Sequence, residues 1–288
     1  MTRRQGAVAS VAGLGPHAHV GWGYRDRSVF LARAAEYIAD GLRRNQRILY
    51  ACDGSRTELL KELTEMGFAD AIQAGLISAT PVDEHYRFVP GTDVVDPEAT
   101  VAYAVAALQR IVATGCSGCR AVADGAAFVR TPEQREAFSR LEYLVDQKMT
   151  ALPFSALCAY NLEILGDTAK EVVCLHPFVS RGASGFRIYA EQGIDFALAG
   201  EIDAADDAAF SAALQRIWPL TGADEVTVDA QCLDFVTHRQ LFTLDQLAGA
   251  DGRQVVLRTD QPMVARLAEL LELTNLRTEI LPPFFAAG

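Results

Sequence analysis

The stretch Glu225 to Leu241, EVTVDAQCLDFVTHRQL, decides how the C-terminal part of the chain folds. Val226 and Val228 alternate with polar residues, which is typical of a strand. Further apolar residues lead to a polar corner, Thr237 to Gln240, and leucines then recur at helical spacing. We therefore predict a strand, an exposed corner and a helix. The first residues of such a helix are well placed to meet a partner or a phosphate.

The segments around this stretch resemble a STAS domain, the fold of anti-sigma factor antagonists. Gly200-Glu201-Ile202-Asp203 is similar to that family's G-E-[LI]-D signature. Gln254 to Arg258 resembles its last strand, and Val264 to Leu276 its final amphipathic helix. The resemblance covers residues 186–288. It implies a smaller α/β domain that binds an anti-sigma factor or a related serine kinase-like switch protein.

The corner departs from the pattern of that family, which usually reads D-S-[ST]-G. Here the four positions are Thr237, His238, Arg239 and Gln240, and we predict that they contact the partner. The usual phosphoacceptor position holds Arg239, which cannot accept a phosphate. Thr237 is an alternative acceptor, and its phosphate would add about −1.5 to −2 charge. We favour a corner that binds constitutively, with control located in the N-terminal domain.

The rest of the chain alternates apolar strand-like runs with helical patterns. Ile48 to Cys52, Cys119 to Ala123 and Phe154 to Tyr160 are such runs. This alternation predicts a parallel sheet with helices on both faces. Gly13, Gly15 and Pro16 interrupt the small apolar residues near the N-terminus, so residues 1–15 predict a flexible tail. Phe178 to Ser184 predicts a linker, because regular patterning lapses there.

This N-terminal part resembles the MEDS family, the methanogen/methylotroph sensory domain. His19 and Tyr24, Gly41-Leu42, the motif Phe154 to Tyr160 (FSALCAY) and His176-Pro177 carry the resemblance. It spans residues 16–180. It implies a RecA/KaiC-like α/β fold that serves as a sensory module for a small molecule.

A nucleotide-binding fold raises the question of a phosphate-binding loop. The nearest segment to G-x-x-x-x-G-K-[ST] is Gly21 to Ser28, GWGYRDRS, which lacks the lysine. Asp124 ends an apolar strand where a magnesium-coordinating acid would stand, but a turn-forming Asp-Gly is the simpler role. We expect no cofactor and no ATP hydrolysis, while nucleotide binding without hydrolysis stays open.

Ligands of open α/β sheets bind outside the carboxyl ends of the strands. Aromatic side chains with one or two polar anchors suit a small organic ligand. We predict that the ligand-binding residues are His19, Trp22, Tyr24, Asp53, His85, Tyr86, Arg87, Asp124 and Tyr160. The alternative is that Trp22 and Tyr24 belong to the core and His85 is a solvated loop residue.

Metal binding receives less support from the sequence. His17 and His19, with His85 or His176, contain suitable ligand atoms, but a structural role fits each better. Cys116-Ser-Gly-Cys119 lacks the second ligand pair that a zinc site needs. We predict no metal site.

Composition narrows the class of protein. The chain has 288 residues and a net charge of −11, and its basic residues do not cluster, which argues against a nucleic-acid partner. No apolar run approaches the roughly 18 residues of a membrane span. We therefore expect a cytoplasmic protein with reduced cysteines.

Together these features predict a non-enzymatic, two-domain bacterial signalling regulator. A small-molecule-sensing domain would control how a STAS-like domain meets its partner in a partner-switching pathway of transcription. One alternative is a degenerate nucleotide-binding protein or weak ATPase that uses the STAS-like domain as an interaction handle. Another is a stressosome-like scaffold, which implies a homo-oligomer.

Overall fold

The computed structural model of the protein describes residues 3–222 and 224–282. Two sheets organise these residues: a seven-stranded sheet flanked by helices, and a five-stranded sheet built from the C-terminal part. The mixed α/β class predicted from the alternation of strands and helices is confirmed.

The larger sheet is wholly parallel. Its strands are β1 (Gly6–Val8), β2 (His19–Tyr24), β3 (Gln46–Cys52), β4 (Ile77–Pro81), β5 (Gly118–Asp124), β6 (Phe154–Asn161) and β7 (Phe178–Ser180). They lie in the order β1-β7-β2-β6-β5-β3-β4, so the central strands are buried on both faces. Because the strands are parallel, their carboxyl ends all lie along the same edge of the sheet.

The connections of the larger sheet are helical. These helices are α1 (Arg27–Arg43), α2 (Arg56–Glu65), α3 (Ala69–Gln73), α4 (Val82–His85), α5 (Pro97–Ala113), α6 (Pro132–Met149), α7 (Leu162–Leu165) and α8 (Lys170–Val173). Side-chain caps fix several of their starts. Thr131 and Gln134 form a capping box at the start of α6, and Pro132 occupies its first turn.

The smaller sheet contains β8 (Phe186–Tyr189), β9 (Phe196–Ile202), β10 (Glu225–Val236), β11 (Gln254–Thr259) and β12 (Leu276–Ile280). Its order is β12-β11-β10-β9-β8, and only the β8–β9 pair is antiparallel. Helices α9 (Asp207–Ile217), α10 (His238–Asp251) and α11 (Pro262–Leu270) connect the parallel strands. The predicted strand, corner and helix of residues 225–241 are confirmed.

The two sheets share packing through α6 and the segment after α8. Tyr143, Cys174 and Leu175 lie in the same hydrophobic core as the side chains of β8, β9 and α9. The Tyr143 hydroxyl donates to the carbonyl of Asp195, just before β9. Helix α6 therefore belongs to both parts of the molecule.

Three predictions at segment boundaries are wrong. Residues 3–15 do not form a loose tail: Gly6–Val8 pairs with β7, and Val11 is fully buried. Phe178–Ser180 is not linker but β7, a strand too short to show an alternating pattern. The final helix ends at Leu270, and Leu276 instead begins β12. Residues 1–2 of the predicted tail lie outside the described residues.

Within the described ranges, no helix combines the length and the hydropathy of a membrane span.

A buried arginine ties α1 to the sheet. Arg120 of β5 pairs with Asp40 at 3.0 Å and donates to the Tyr37 carbonyl and the Gln46 side chain. Burial alone would raise the pKa of Asp40, but Arg120 and Arg44 bring it below its ordinary value. The pair is therefore charged at neutral pH.

We expect Arg120→Leu to destabilise the protein by about 3–5 kcal/mol, because it leaves the Asp40 carboxylate buried without its main partner. Arg43 also pairs with Asp40 but is 66% exposed, so Arg43→Ala should cost less than about 1 kcal/mol. Urea unfolding of both variants checks this. Equal losses in the two variants would contradict the assignment.

Candidate functional site

A cluster of polar side chains lies inside the first part of the molecule, between the sheet and α6. His19 comes from β2, Cys158 and Tyr160 from β6, and His176 from the turn after α8. Glu142 and Asp146 stand one turn apart on α6 and face the sheet. All six side chains are buried. We call these six residues the polar cluster.

His19 lies between the two carboxylates of α6. Its Nδ1 is 3.0 Å from Asp146 Oδ1, and its Nε2 is 3.1 Å from Glu142 Oε2. Burial alone would lower the pKa of His19, but Cys158 and the two carboxylates raise it well above its ordinary value. His19 is therefore an imidazolium that donates to both acids.

The two carboxylates use their remaining oxygen atoms as well. Asp146 Oδ1 also pairs with Arg3 at 2.7 Å, and its Oδ2 accepts from the Ala190 amide at 2.8 Å. Glu142 Oε1 accepts from the Tyr160 hydroxyl. Burial would raise the pKa of each acid, but the His19 imidazolium lowers that of Glu142, and Arg3 and His19 lower that of Asp146. The positive charges of His19 and Arg3 thus balance the negative charges of Glu142 and Asp146.

His176 completes the polar cluster on the other side of His19, with the two ring centroids 4.2 Å apart. Its Nδ1 donates to the Val173 carbonyl at 3.1 Å, which leaves the Nε2 lone pair facing Glu142 Oε2 at 3.5 Å. That Nε2 is buried and has no hydrogen-bond partner. Burial, with the charge of His19 nearby, lowers the pKa of His176, so the ring is neutral.

Four of these side chains supply metal-ligand atoms. One donor atom each from His19, Glu142, Cys158 and His176 lies within 4.8 Å of the other three. Cys158 Sγ is 3.5 Å from His19 Nε2 and 3.7 Å from Glu142 Oε2. Burial raises the pKa of the Cys158 thiol to about 12, so the free thiol is protonated.

An apolar cavity of about 140 Å³ adjoins the polar cluster. It lies between the sheet and helices α4, α5 and α6, and six alanines from these elements leave the space open: Ala51, Ala104, Ala107, Ala121, Ala123 and Ala156. Glu142 and Cys158 form part of its wall. A mostly apolar pocket with a few polar groups is the usual form of a small-molecule site.

Polar residues at the end of α4 and just after it also line this cavity. His85 and Tyr86 line it, and the Arg87 guanidinium lies 3.8 Å from the centroid of the Tyr103 ring, also in the wall. Burial and the charge of Arg87 lower the pKa of His85 to about 4. His85 is therefore a neutral hydrogen-bonding group at the cavity.

A second depression lies at the strand ends, as expected for an open sheet. Tyr24, Asp53, Asp124 and Arg27 line it. The Tyr24 hydroxyl donates to Asp124 Oδ2 at 2.5 Å, and Asp124 Oδ1 accepts from the Ala126 amide at 3.1 Å. One oxygen of Asp124 is thus engaged by β2 and the other by the turn that follows β5.

The segment Gly21 to Ser28 does not form a phosphate cradle. Gly21 and Gly23 lie within β2, and the side chain of Asp26 accepts from the Ser28 amide where α1 begins. Gly21 serves close packing: a methyl group there would lie 2.8 Å from His176 Nδ1. A bound phosphate would have to compete with the Asp26 carboxylate for the helix start.

The predicted ligand-binding residues therefore occupy three places. His19 and Tyr160 belong to the polar cluster, His85 and Tyr86 line the cavity with Arg87 beside it, and Tyr24, Asp53 and Asp124 line the strand-end depression. Trp22, a residue of β2, belongs to a hydrophobic core of the larger sheet. His17 lies outside the polar cluster, with its Nδ1 2.9 Å from the Met149 carbonyl.

Sequence reasoning missed Glu142, Asp146 and the alanine-lined cavity. The available signal was two acidic residues four positions apart on the apolar side of a helix, next to Leu141 and Val145. Such acids must be paired when they are buried, so they point to a cation on the facing strand.

At the C-terminal corner, Thr237 caps α10. Its hydroxyl accepts from the Arg239 amide and donates to Gln240 Oε1. Gln240 is buried, and its amide donates to Asp207, which also pairs with Arg239 at 3.0 Å. His238 and Arg239 are exposed. Phe235 and Phe242 are 50% and 37% exposed.

The model of the MEDS family, the MEthanogen/methylotroph, DcmR Sensory domain, matches residues 18–177. The chain belongs to the MEDS family. The matched range contains all six residues of the polar cluster and the residues that line the cavity. Membership indicates a sensory or signalling role. No curated protein matches the chain.

We expect folding stability to fall as pH decreases from about 6.5 to 4, in part through His85. The unfolded chain binds a proton at His85 below its ordinary pKa of about 6.5, whereas the folded chain does so only near 4. Urea unfolding of parent and His85→Gln at several pH values checks this. The variant should lose less stability over that range, and identical pH dependence would contradict the assignment.

Proposed function

We propose that this MEDS protein is a non-enzymatic cytoplasmic regulator that senses a small molecule in the alanine-lined cavity. The observation that carries the proposal is the position of α6. Its residues Leu141, Glu142 and Val145 line the cavity, and Tyr143 packs into the core of the smaller sheet. A ligand that shifts α6 would therefore change the packing of the C-terminal part.

The lining defines the chemical class of ligand. The volume of about 140 Å³ suits a compact molecule, and the wall is mostly alanine, leucine and aromatic carbon. Glu142 and neutral His85 provide hydrogen-bonding atoms at the wall. We infer a small, mostly apolar ligand with one polar group, since unpaired polar groups in such a site would oppose binding.

The path from the cavity to the smaller sheet consists of direct contacts. Asp146 accepts from the Ala190 amide just after β8, and Tyr143 donates to the Asp195 carbonyl just before β9. Arg216 of α9 pairs with Glu171 of α8. A displacement of α6 would disturb the two hydrogen bonds of Tyr143 and Asp146 together, because these residues lie within one turn of that helix.

The C-terminal part, residues 186–288, is proposed to be a STAS-like domain after a sensory domain of residues 16–180 with a RecA/KaiC-like arrangement. Supporting this, β9 ends with Gly200-Glu201-Ile202, and β10 runs into the corner at Thr237. The order of α10, β11 and α11 also follows the resemblance.

We propose that the corner is the contact surface for an anti-sigma factor or serine kinase-like switch protein. Phe235, His238, Arg239 and Phe242 offer exposed aromatic and basic groups, a composition favoured at interfaces. The Thr237 hydroxyl is engaged in the cap and Gln240 is buried. This supports constitutive contact over phosphorylation at Thr237.

We expect phenol, a compact aromatic with one hydroxyl, to bind the cavity and raise the thermal unfolding temperature, because ligands that bind only the folded state stabilise it. Ala121→Leu fills the cavity and should abolish the shift. Ala127→Leu narrows the strand-end depression instead and should leave the shift intact.

Thermal denaturation of the three proteins with increasing phenol measures this effect. The reverse result, with loss of the shift only in Ala127→Leu, would move the ligand site to the strand ends. Absence of a shift in the parent would contradict a cavity open to small aromatics.

We expect Phe235→Ser to abolish capture of a kinase-like anti-sigma factor by the full chain, since it removes the most exposed aromatic ring of the corner. Val112→Ser on α5 is the matched control, because Val112 is 42% exposed in the sensory part. Affinity capture from native cytoplasm with identification by mass spectrometry measures both. Loss in the Val112 variant alone would place the contact on the sensory domain.

A further inference from the structure

His176 Nε2 is a buried nitrogen lone pair with no hydrogen-bond partner. The bond from Nδ1 to the Val173 carbonyl fixes the tautomer that leaves this lone pair free. It faces a carboxylate oxygen and the ring of His19. Two acceptors that face each other in an interior require a cation between them or a proton, because neither can donate.

Four of the distances between the donor atoms are close to those between the ligands of a tetrahedral metal ion. Bond lengths of about 2.0–2.3 Å around Zn²⁺ give ligand–ligand distances of about 3.3–3.6 Å. Three of the distances from Glu142 Oε2 are 3.1 Å to His19 Nε2, 3.5 Å to His176 Nε2 and 3.7 Å to Cys158 Sγ. The sulfur lies 3.5 Å from His19 Nε2.

Contacts behind the donor atoms hold them in place. Asp146 accepts from His19 Nδ1 and Val173 from His176 Nδ1, so each ring presents Nε2 inward. Tyr160 binds the other oxygen of Glu142. Metal-ligating histidines in proteins generally donate their second nitrogen to a carboxylate or carbonyl in this way.

The charges also match a divalent ion. A Cys158 thiolate and the Glu142 carboxylate together carry two negative charges, and Arg3 compensates Asp146 separately. Two imidazoles, a thiolate and a carboxylate form a borderline-soft tetrahedral set that favours Zn²⁺ over Mg²⁺ or Ca²⁺.

We propose that His19 Nε2, Glu142, Cys158 Sγ and His176 Nε2 bind one divalent transition-metal ion, with Zn²⁺ the best fit. On coordination the ion displaces two protons to solvent, the thiol proton of Cys158 and the Nε2 proton of His19, and His19 keeps the Nδ1 proton that it donates to Asp146. Since Glu142 and Cys158 also line the cavity, the ion would lie at the cavity wall. Metal binding does not depend on whether the cavity accepts a small molecule.

Cobalt(II) titration of the full chain tests this site, because Co²⁺ replaces Zn²⁺ and is coloured. The protein is freed of metal with a chelator, reduced and titrated without oxygen. We expect a thiolate-to-cobalt absorption band and the intense visible bands of four-coordinate cobalt, saturating at one ion per chain. Zn²⁺ should then displace the cobalt and bleach both.

Cysteine variants locate the ligand. Cys158→Ser should lose the thiolate band, whereas Cys116→Ser and Cys119→Ser should keep it, since their sulfurs lie outside the polar cluster. Far-UV circular dichroism checks that each variant is folded. If Cys158→Ser does not fold, X-ray absorption of the cobalt-loaded parent should show one sulfur ligand among nitrogen and oxygen.

Three outcomes would overturn the proposal: no thiolate band in the parent, retention of the band in folded Cys158→Ser, or its loss in either control. Absence of cobalt binding would mean that the His19 Nε2 proton, and not a metal ion, holds His19 and Glu142 together. Phenol-dependent stabilisation tests sensing separately, so either proposal can fail without the other.

Discussion

The hydrogen bonds from His19 to Glu142 and Asp146 are the contacts on which the rest of the structure depends. Two carboxylates on α6 are buried, and each would be strongly destabilising without a cation. His19, with Arg3 behind it, supplies that charge, and it fixes the rotation of α6 against the larger sheet. Asp146 also accepts from the Ala190 amide, so the same contact holds the smaller sheet in place.

This arrangement explains why a sensory cavity and an output surface can communicate in one chain. The alanines of α5, β5 and β6 leave space beside α6, while Tyr143 on another side of the helix packs among residues of the smaller sheet. The segment near residue 176 adds to the coupling, because His176 contacts Gly21 and the neighbouring Leu175 lies in the second core. A rigid element shared between two cores transmits a shift as a unit.

The sequence predicted the elements that have a local periodic pattern and missed the features that depend on contacts between distant segments. Strands such as Ile48–Cys52 and the corner at Thr237 follow from local alternation and capping residues. β1 and β7 have three residues each and show no period, so only their pairing defines them. His19 was recognised as a candidate, but its role depends on Glu142 and Asp146, which lie more than 120 residues away, and their position on the apolar side of a helix does not say which cation they meet. The cavity is a property of packing between alanines and had no local signal.

Amide hydrogen exchange of His19→Gln beside the parent tests most directly whether the His19 contact joins the two sheets. The substitution removes the cation and keeps a side chain of similar length. We predict faster exchange in α6, in β8 and β9, and at the Ala190 amide, which donates a hydrogen bond to Asp146. Faster exchange confined to the larger sheet and α6, with β8 and β9 unchanged, would contradict it.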